Sequence, residues 1–240
     1  MSGFTINLAY NILNQKKIQM KLLKTIFVTL LIVSCSNDSY ISKPLSILVV
    51  GNSITKAEPG GEWLGNWGMA ASHPELDFCG RLKNHFENSE LDKLNIAVWE
   101  NNLDYDLNQI TPIITKSYDY IVFKLGENVS DNNRNRFKED FRNMINHYKQ
   151  SKSKIIIVST VWNEYEFDLN GNPFVVESLK DKAMKEVAEE EDYVFVDISE
   201  MRNVSDYYAW NEYIDQAIAS HPNDNGMLFI ANKIIEKIEE

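Results

Sequence analysis

The sequence predicts an α/β protein, a three-layer α/β/α sandwich around a parallel sheet of about five strands. Three observations carry this. The β-branched runs "SILVV", "YDYIVFKL" and "KIIIVSTV" are continuous rather than alternating, as in strands covered on both faces. Helical patterns separate successive runs, which is what parallel neighbours need for their crossovers. No internal repeat or low-complexity tract competes with this reading.

The elements follow in order. A first strand, 46–52, runs into Gly51-Asn52-Ser53, where the glycine permits a sharp turn at the carboxyl edge of the sheet. A loop rich in Gly and Trp, 55–74, leads to a helix over 75–88. Its length in a compact domain points to function. Further strands are expected at 95–100, 118–125, 154–161 and 193–198, with helices at 135–150 and 174–191. The last helix, 226–239, places Ile230, Ile234, Ile235 and Ile238 on one face.

The chain has 240 residues, 44% of them hydrophobic, and a net charge of -11. That length suffices for one domain with a sizeable core. The acidic balance argues against nucleic-acid binding, which needs clustered Lys and Arg. The N-terminus reads as a targeting segment: Lys21 and Lys24 precede an apolar stretch, Thr25 to Val33, too short to span a bilayer comfortably. It ends in "IVSC", which resembles a bacterial lipoprotein signal, with Cys35 the residue to be lipidated. Met20 is then a candidate start. The expected organisation is upstream residues and signal over 1–35, a polar spacer over 36–45 and the folded domain over 46–240. The expected location is the cell envelope, with a lipid anchor as the only membrane contact; an ordinary secretory signal or an uncleaved anchor is the alternative.

Cys79, in the apolar context "LDFCGRL", reads as a small core residue. With no CxxC pair and no His-rich cluster, neither a metal nor any other cofactor is expected. A nucleotide-binding role lacks its Gly-rich phosphate loop.

Three short motifs fall at one sheet edge. Ser53 follows the first strand, Gly126 and Asn128 follow "YDYIVFKL", and His221 sits in "SHPNDNG" ahead of the last helix. Ligands bind at such edges in open α/β sheets. This set resembles the SGNH (GDSL-like) hydrolase family over about residues 45–240. The family's first block, Gly-Asp-Ser, is met by Gly51-Asn52-Ser53, with Asn for Asp. Its third, Gly-x-Asn-Asp, is met by Gly126-Glu127-Asn128-Val129. Its fifth, Asp-x-x-His-Pro, is met by Ile218-Ala219-Ser220-His221-Pro222, without the Asp. The second block's glycine has no clean match, "IAVWENN" standing in its place. "GNSIT", "GNWGMAAS" and "HPNDNG" together look like a secreted bacterial subgroup, some of whose members act on acylated carbohydrates.

The resemblance implies a serine ester hydrolase on a flavodoxin-like fold, with a small-molecule or glycan ester as substrate. Ser53 would be the nucleophile and His221 the base that takes its proton. Asn128 and the Ser53 backbone N–H would hold the oxyanion, with Gly68 as a third donor. His85 and His147 lie in helical stretches among charged neighbours, and His73 in a loop. The residue that orients His221 stays open: Asp224, Asp215, Glu100 or a backbone carbonyl, with a Ser–His dyad as the default. Asp224 also suits a helix start. Trp63, Trp67 and Trp162 are candidates for a sugar-stacking platform, or for core packing. Glu127 is placed to bind a sugar hydroxyl or to brace its loop. The missing Asp and the altered second block motivate a rival reading, a non-catalytic carbohydrate-binding lipoprotein on the same fold.

Overall fold

The structure, a computed structural model, describes residues 44–110, 114 and 116–240. The signal segment, Cys35 and most of the spacer lie outside the described residues. In chain order the elements are β1 (Ser46–Gly51), α1 (Phe78–His85), β2 (Glu90–Asn95), α2 (Ala97–Asn101), β3 (Tyr120–Lys124), α3 (Arg134–Tyr148), β4 (Lys154–Val158), β5 (Glu164–Phe167), β6 (Pro173–Val176), α4 (Leu179–Glu191), β7 (Val194–Val196), α5 (Gln216–Ala219) and α6 (Asp224–Glu239). Strands β2-β1-β3-β4-β7 form a sheet in that order, every neighbouring pair parallel. This is the predicted three-layer α/β/α sandwich.

Strand alternation divides the core into two layers. Leu48, Val50, Ile121, Phe123, Ile155 and Ile157 pack on Phe137 and Phe141 of α3 and Met184 of α4. Ile47, Val49, Val122, Ile156 and Val158 pack on Phe78 and Leu82 of α1 and Met227, Ile230 and Ile234 of α6. Side chains buried this fully contribute roughly 1.5–3 kcal/mol each. The chain leaves β1 for β2 on one side and returns to β3 on the other. The carboxyl ends of β1 and β3, registered Gly51 to Lys124, therefore flank the point where strand order reverses.

Two elements differ from the sequence reading. The second strand is Glu90–Asn95, and most of the expected 95–100 strand is the short helix α2. As a sheet edge, β2 exposes Glu90 and Asp92 and half-covers its other residues, so its run looks polar. The apolar signal of "IAVWE" comes instead from a helical turn that buries Trp99 and Glu100. The expected helix over 174–191 begins at Leu179, capped by Ser178, because Pro173–Val176 pairs antiparallel with Glu164–Phe167 in a separate hairpin.

Candidate active site

The turn after β1 depends on Gly51. A Cβ there would lie 1.9 Å from Thr55 Oγ1 and 2.8 Å from the Lys124 carbonyl oxygen. Without it the chain folds back, and the Asn52 carbonyl accepts from the Thr55 and Lys56 N–H groups. Asn52 Oδ1 accepts from Ile54 N–H at 3.0 Å, closing a side-chain turn around Ser53. Ser53 is thereby held at the strand end, half-buried.

His221 arrives from the segment between α5 and α6. Its Nε2 lies 2.8 Å from Ser53 Oγ, across 168 residues of chain. Trp162, just past β4, stands edge-on to the imidazole, with ring centroids 5.6 Å apart at 88°. The indole N–H of Trp162 donates to the Ser220 carbonyl at 2.9 Å and locks both rings. Burial holds the His221 pKa below its ordinary value; the nearby carbonyls of Ala217 and Ile218 and the charge of Glu127 oppose this only in part. The ring is neutral at pH 7 and competent as a base. Its Nδ1 is buried without a hydrogen-bond partner among the described residues. The two carbonyls thus favour the protonated ring by proximity, without meeting Nδ1 in hydrogen-bonding geometry.

Behind the turn lies a buried polar network. Glu100 of α2 accepts from Gly126 N–H (2.6 Å), from Asn128 Nδ2 (2.8 Å) and, more distantly, from Asn52 Nδ2 (3.3 Å) and Asn128 N–H (3.4 Å). Glu127 accepts from Asn52 Nδ2 at 2.8 Å and Val161 N–H at 3.1 Å, and forms an ion pair with Lys124 whose side chains are both fully buried. Burial and the neighbouring Glu127 charge push the Glu100 carboxyl up to about 7, against hydrogen bonds that favour its ionised form. Burial also pushes Glu127 upward, but the Lys124 ammonium and its hydrogen bonds win, holding Glu127 below the usual carboxylate range. Gly126 adopts φ +117°, and a Cβ there would meet Thr160 Cγ2 at 2.8 Å, so the loop carrying Asn128 needs this glycine.

No protein-family model matches the chain, and no curated protein sequence matches it. Solved structures do. An acetyl xylan esterase, AlAXEase, aligns with a TM-score of 0.52 at 15% identity, over 81% of this chain and 100% of that one. An α/β hydrolase enzyme from the metagenome of Lake Arreo, Spain, aligns at 0.51 and 17% identity, over 82% and 96%. A two-domain esterase active on acetylated mannans, co-crystallised with mannopentaose, aligns at 0.50 and 16% identity over 82% of this chain. The chain spans about half the length of that esterase, 50% of it being covered. The chain has the SGNH hydrolase fold.

Set on the SGNH blocks, the expected residues divide. Ser53 and His221 meet directly, and Asn128 lies past the strand next to that of Ser53. Among the described residues no acceptor takes the Ser53 N–H. Gly68 is a correction: its N–H donates to Asp77 Oδ2 at 2.9 Å and is not free for an oxyanion. Asp224 is another. Its carboxylate accepts from Ser72 N–H and Oγ at 2.8 and 2.6 Å, and the α6 cap is Asn223. Asp215 caps α5. Glu127 faces Lys124, Asn52 and Val161, so it braces the loop and is closed to a sugar. Trp67 packs edge-on against Trp63, with its indole N–H given to the Ala71 carbonyl, and Trp63 is buried. Of the tryptophans proposed as a platform, Trp162 alone borders His221.

Sequence reasoning missed the buried polar network behind the Ser53 turn and its Lys124–Glu127 ion pair. Glu100 had entered only as a possible partner of His221. Its signal was a glutamate inside the otherwise apolar "IAVWE", which a buried helical turn makes costly unless fully hydrogen-bonded.

Proposed function

We propose that the protein is a serine carboxylic ester hydrolase that works through an acyl-enzyme on acetylated carbohydrate or a similar small ester. The observation that carries this is the 2.8 Å contact between Ser53 Oγ and the Nε2 of a neutral, buried His221. Ser53 Oγ attacks the ester carbonyl as its proton passes to Nε2. Asn128 Nδ2 and the Ser53 N–H stabilise the oxyanion, a donor of this kind contributing roughly 3–4 kcal/mol. Collapse returns the proton from Nε2 to the leaving alcohol and leaves Ser53 acylated. Water, deprotonated by His221, then attacks the acyl carbonyl and releases the acid and Ser53. The imidazolium formed on the way has the Ala217 and Ile218 carbonyls beside its ring, so a Ser–His dyad suffices.

The finer reading of the substrate rests on a groove of about 460 Å³ beside His221, lined by Trp162, Tyr165, Asn203, Tyr208 and Trp210 among others. Trp210 and Tyr165 are exposed, whereas the Tyr208 hydroxyl is tied to the Val161 carbonyl. Exposed aromatic rings beside side-chain amides suit the apolar faces and hydroxyls of a sugar. Arg202, at the groove's edge, is neutralised by Asp181. The fold's likeness to an acetyl xylan esterase and an acetylated-mannan esterase supports the same class. For the location, "IVSC" supports a lipid anchor at Cys35 on the cell envelope.

The test is hydrolysis of p-nitrophenyl acetate by the purified protein, followed by acetate release from acetylated xylan and mannan oligosaccharides. Turnover of the activated ester that requires Ser53 supports the reading. Glycan binding without turnover of any ester favours the carbohydrate-binding alternative.

A further inference from the structure

We infer that Glu100 is the positioning residue of the oxyanion site, and that Asn52 is the amide matched to it. This rests on the esterase reading above. Four donors converge on the Glu100 carboxylate: Gly126 N–H and Asn128 N–H with Asn52 Nδ2 on Oε1, and Asn128 Nδ2 on Oε2. The two backbone donors pin the loop after β3. The bond at Oε2 fixes the rotamer and the amide sense of Asn128, because a carboxylate accepts only from Nδ2. One Nδ2 hydrogen is thereby spent and the other is left for the reacting oxygen.

Asn52 explains itself in the same network. Its Nδ2 donates to both Glu100 and Glu127, while Oδ1 accepts from Ile54 N–H in the turn that presents Ser53. An Asp at this place would turn an oxygen toward two carboxylates in a buried site. The departure from Gly-Asp-Ser is therefore compensated: the acids stand at 100 and 127, and the residue between them is a donor. Lys124 balances Glu127, which leaves Glu100 with hydrogen bonds alone. The groups facing Glu100 are Asn52 from the turn after β1 and Gly126 and Asn128 from the loop after β3, all hydrogen-bonded to it and none titratable, while the charge that acts on it among the described residues is that of Glu127.

Glu100→Gln is the direct test. The new amide keeps an acceptor for the backbone donors but meets Asn128 with an N–H, which turns Asn128 so that Oδ1 faces the substrate. The expected result on p-nitrophenyl acetate is a fall in kcat of about 100- to 1,000-fold, as for a lost oxyanion donor, with KM changed less than about threefold. Asn128→Ala should match it, and the double variant should be no worse than Asn128→Ala alone, since both remove one device. Losses that multiply in the double variant, or a folded Glu100→Gln within about threefold of wild type, overturn the inference.

A second measurement needs no change at Glu100. Protonation of its buried carboxyl removes an acceptor from Asn128, so the acid limb of kcat/KM in the wild type should fall near the Glu100 titration. In Asn128→Ala that coupling is gone and the limb should shift to lower pH, following His221. Identical limbs in the two proteins overturn the inference. Absence of wild-type turnover on any activated ester overturns the esterase reading and this inference with it; turnover with an indifferent Glu100 overturns this inference alone.

Discussion

Asp224 is bound to Ser72 through both carboxylate oxygens, at 2.8 Å to the backbone N–H and 2.6 Å to the hydroxyl. The bond spans 152 residues and ties the Gly- and Trp-rich loop to the first turn of α6. It leaves the acid nearest to His221 in sequence with no part in orienting the imidazole.

Asp224→Asn is expected to change activity less than about tenfold, because an amide oxygen still accepts from Ser72 and the ring is untouched. Asp215→Asn should do the same, its role being a cap that Asn fills at little cost. The check is kcat/KM on one activated ester for both variants. A collapse in either, on the order of a thousand-fold or more, would name a third triad member and refute the dyad.

Ser53→Ala should lower kcat by on the order of a thousand-fold or more. The melting temperature should stay close to that of the wild type, since the half-buried hydroxyl gives the fold little beyond its bond to His221. Ester turnover and thermal unfolding of the same preparation check both halves. A folded variant with near-wild-type activity would remove Ser53 from the mechanism.

The pH dependence of stability should carry opposite contributions from Glu100 and His221. The Glu100 pKa is raised on folding, from 4.5 to about 7, so its contribution is full below 4.5 and is lost as pH rises through 7. The His221 pKa is lowered from 6.5, so its contribution is full above 6.5 and is lost as pH falls through the folded value. The stability difference between wild type and Glu100→Gln should therefore shrink, or turn in favour of the variant, between about pH 5 and 8. Denaturant unfolding across that range measures it, and a difference independent of pH would mean that Glu100 is not raised. An ionised Glu100 is the form that aims Asn128, so the site gives up some stability at neutral pH for function.

Trp210→Ala and Tyr165→Ala are expected to raise KM for an acetylated oligosaccharide by about 5- to 50-fold, the range of one or two lost stacking contacts. The loss on p-nitrophenyl acetate should be much smaller. Equal losses on both esters would take the groove out of sugar recognition.

Cys35→Ala should release the protein from membranes or block its processing, because the thiol is the residue the "IVSC" signal would lipidate. Metabolic labelling with a fatty-acid analogue reads this directly. No label on the wild type would make the segment an ordinary signal or an anchor.

The sequence by itself determined four of the five sheet strands and the two residues that meet at their edge. Continuous apolar runs located β1, β3 and β4, since a strand buried on both faces has no polar side to blur its pattern, and the short apolar run "YVFV" located β7 at one edge although it is only partly buried. Gly51 and the helix start after His221 marked where Ser53 and His221 leave their elements, and the parallel topology then brings them together across 168 residues. The edge strand β2 escaped, because exposure on one side fills such a strand with charge. The tertiary structure alone decided what each charged group does. Lys124, Glu100 and Glu127 look like surface residues to any periodicity argument, yet all three are buried. They are stable there only because partners 3 to 75 residues away supply the hydrogen bonds and countercharge that water would have supplied. In the same way the Gly68 N–H and the Asp224 carboxylate were free on paper and are spent in the fold, on Asp77 and Ser72. A local sequence pattern records which face an element buries; which donor meets which acceptor across that buried face is set when the layers close.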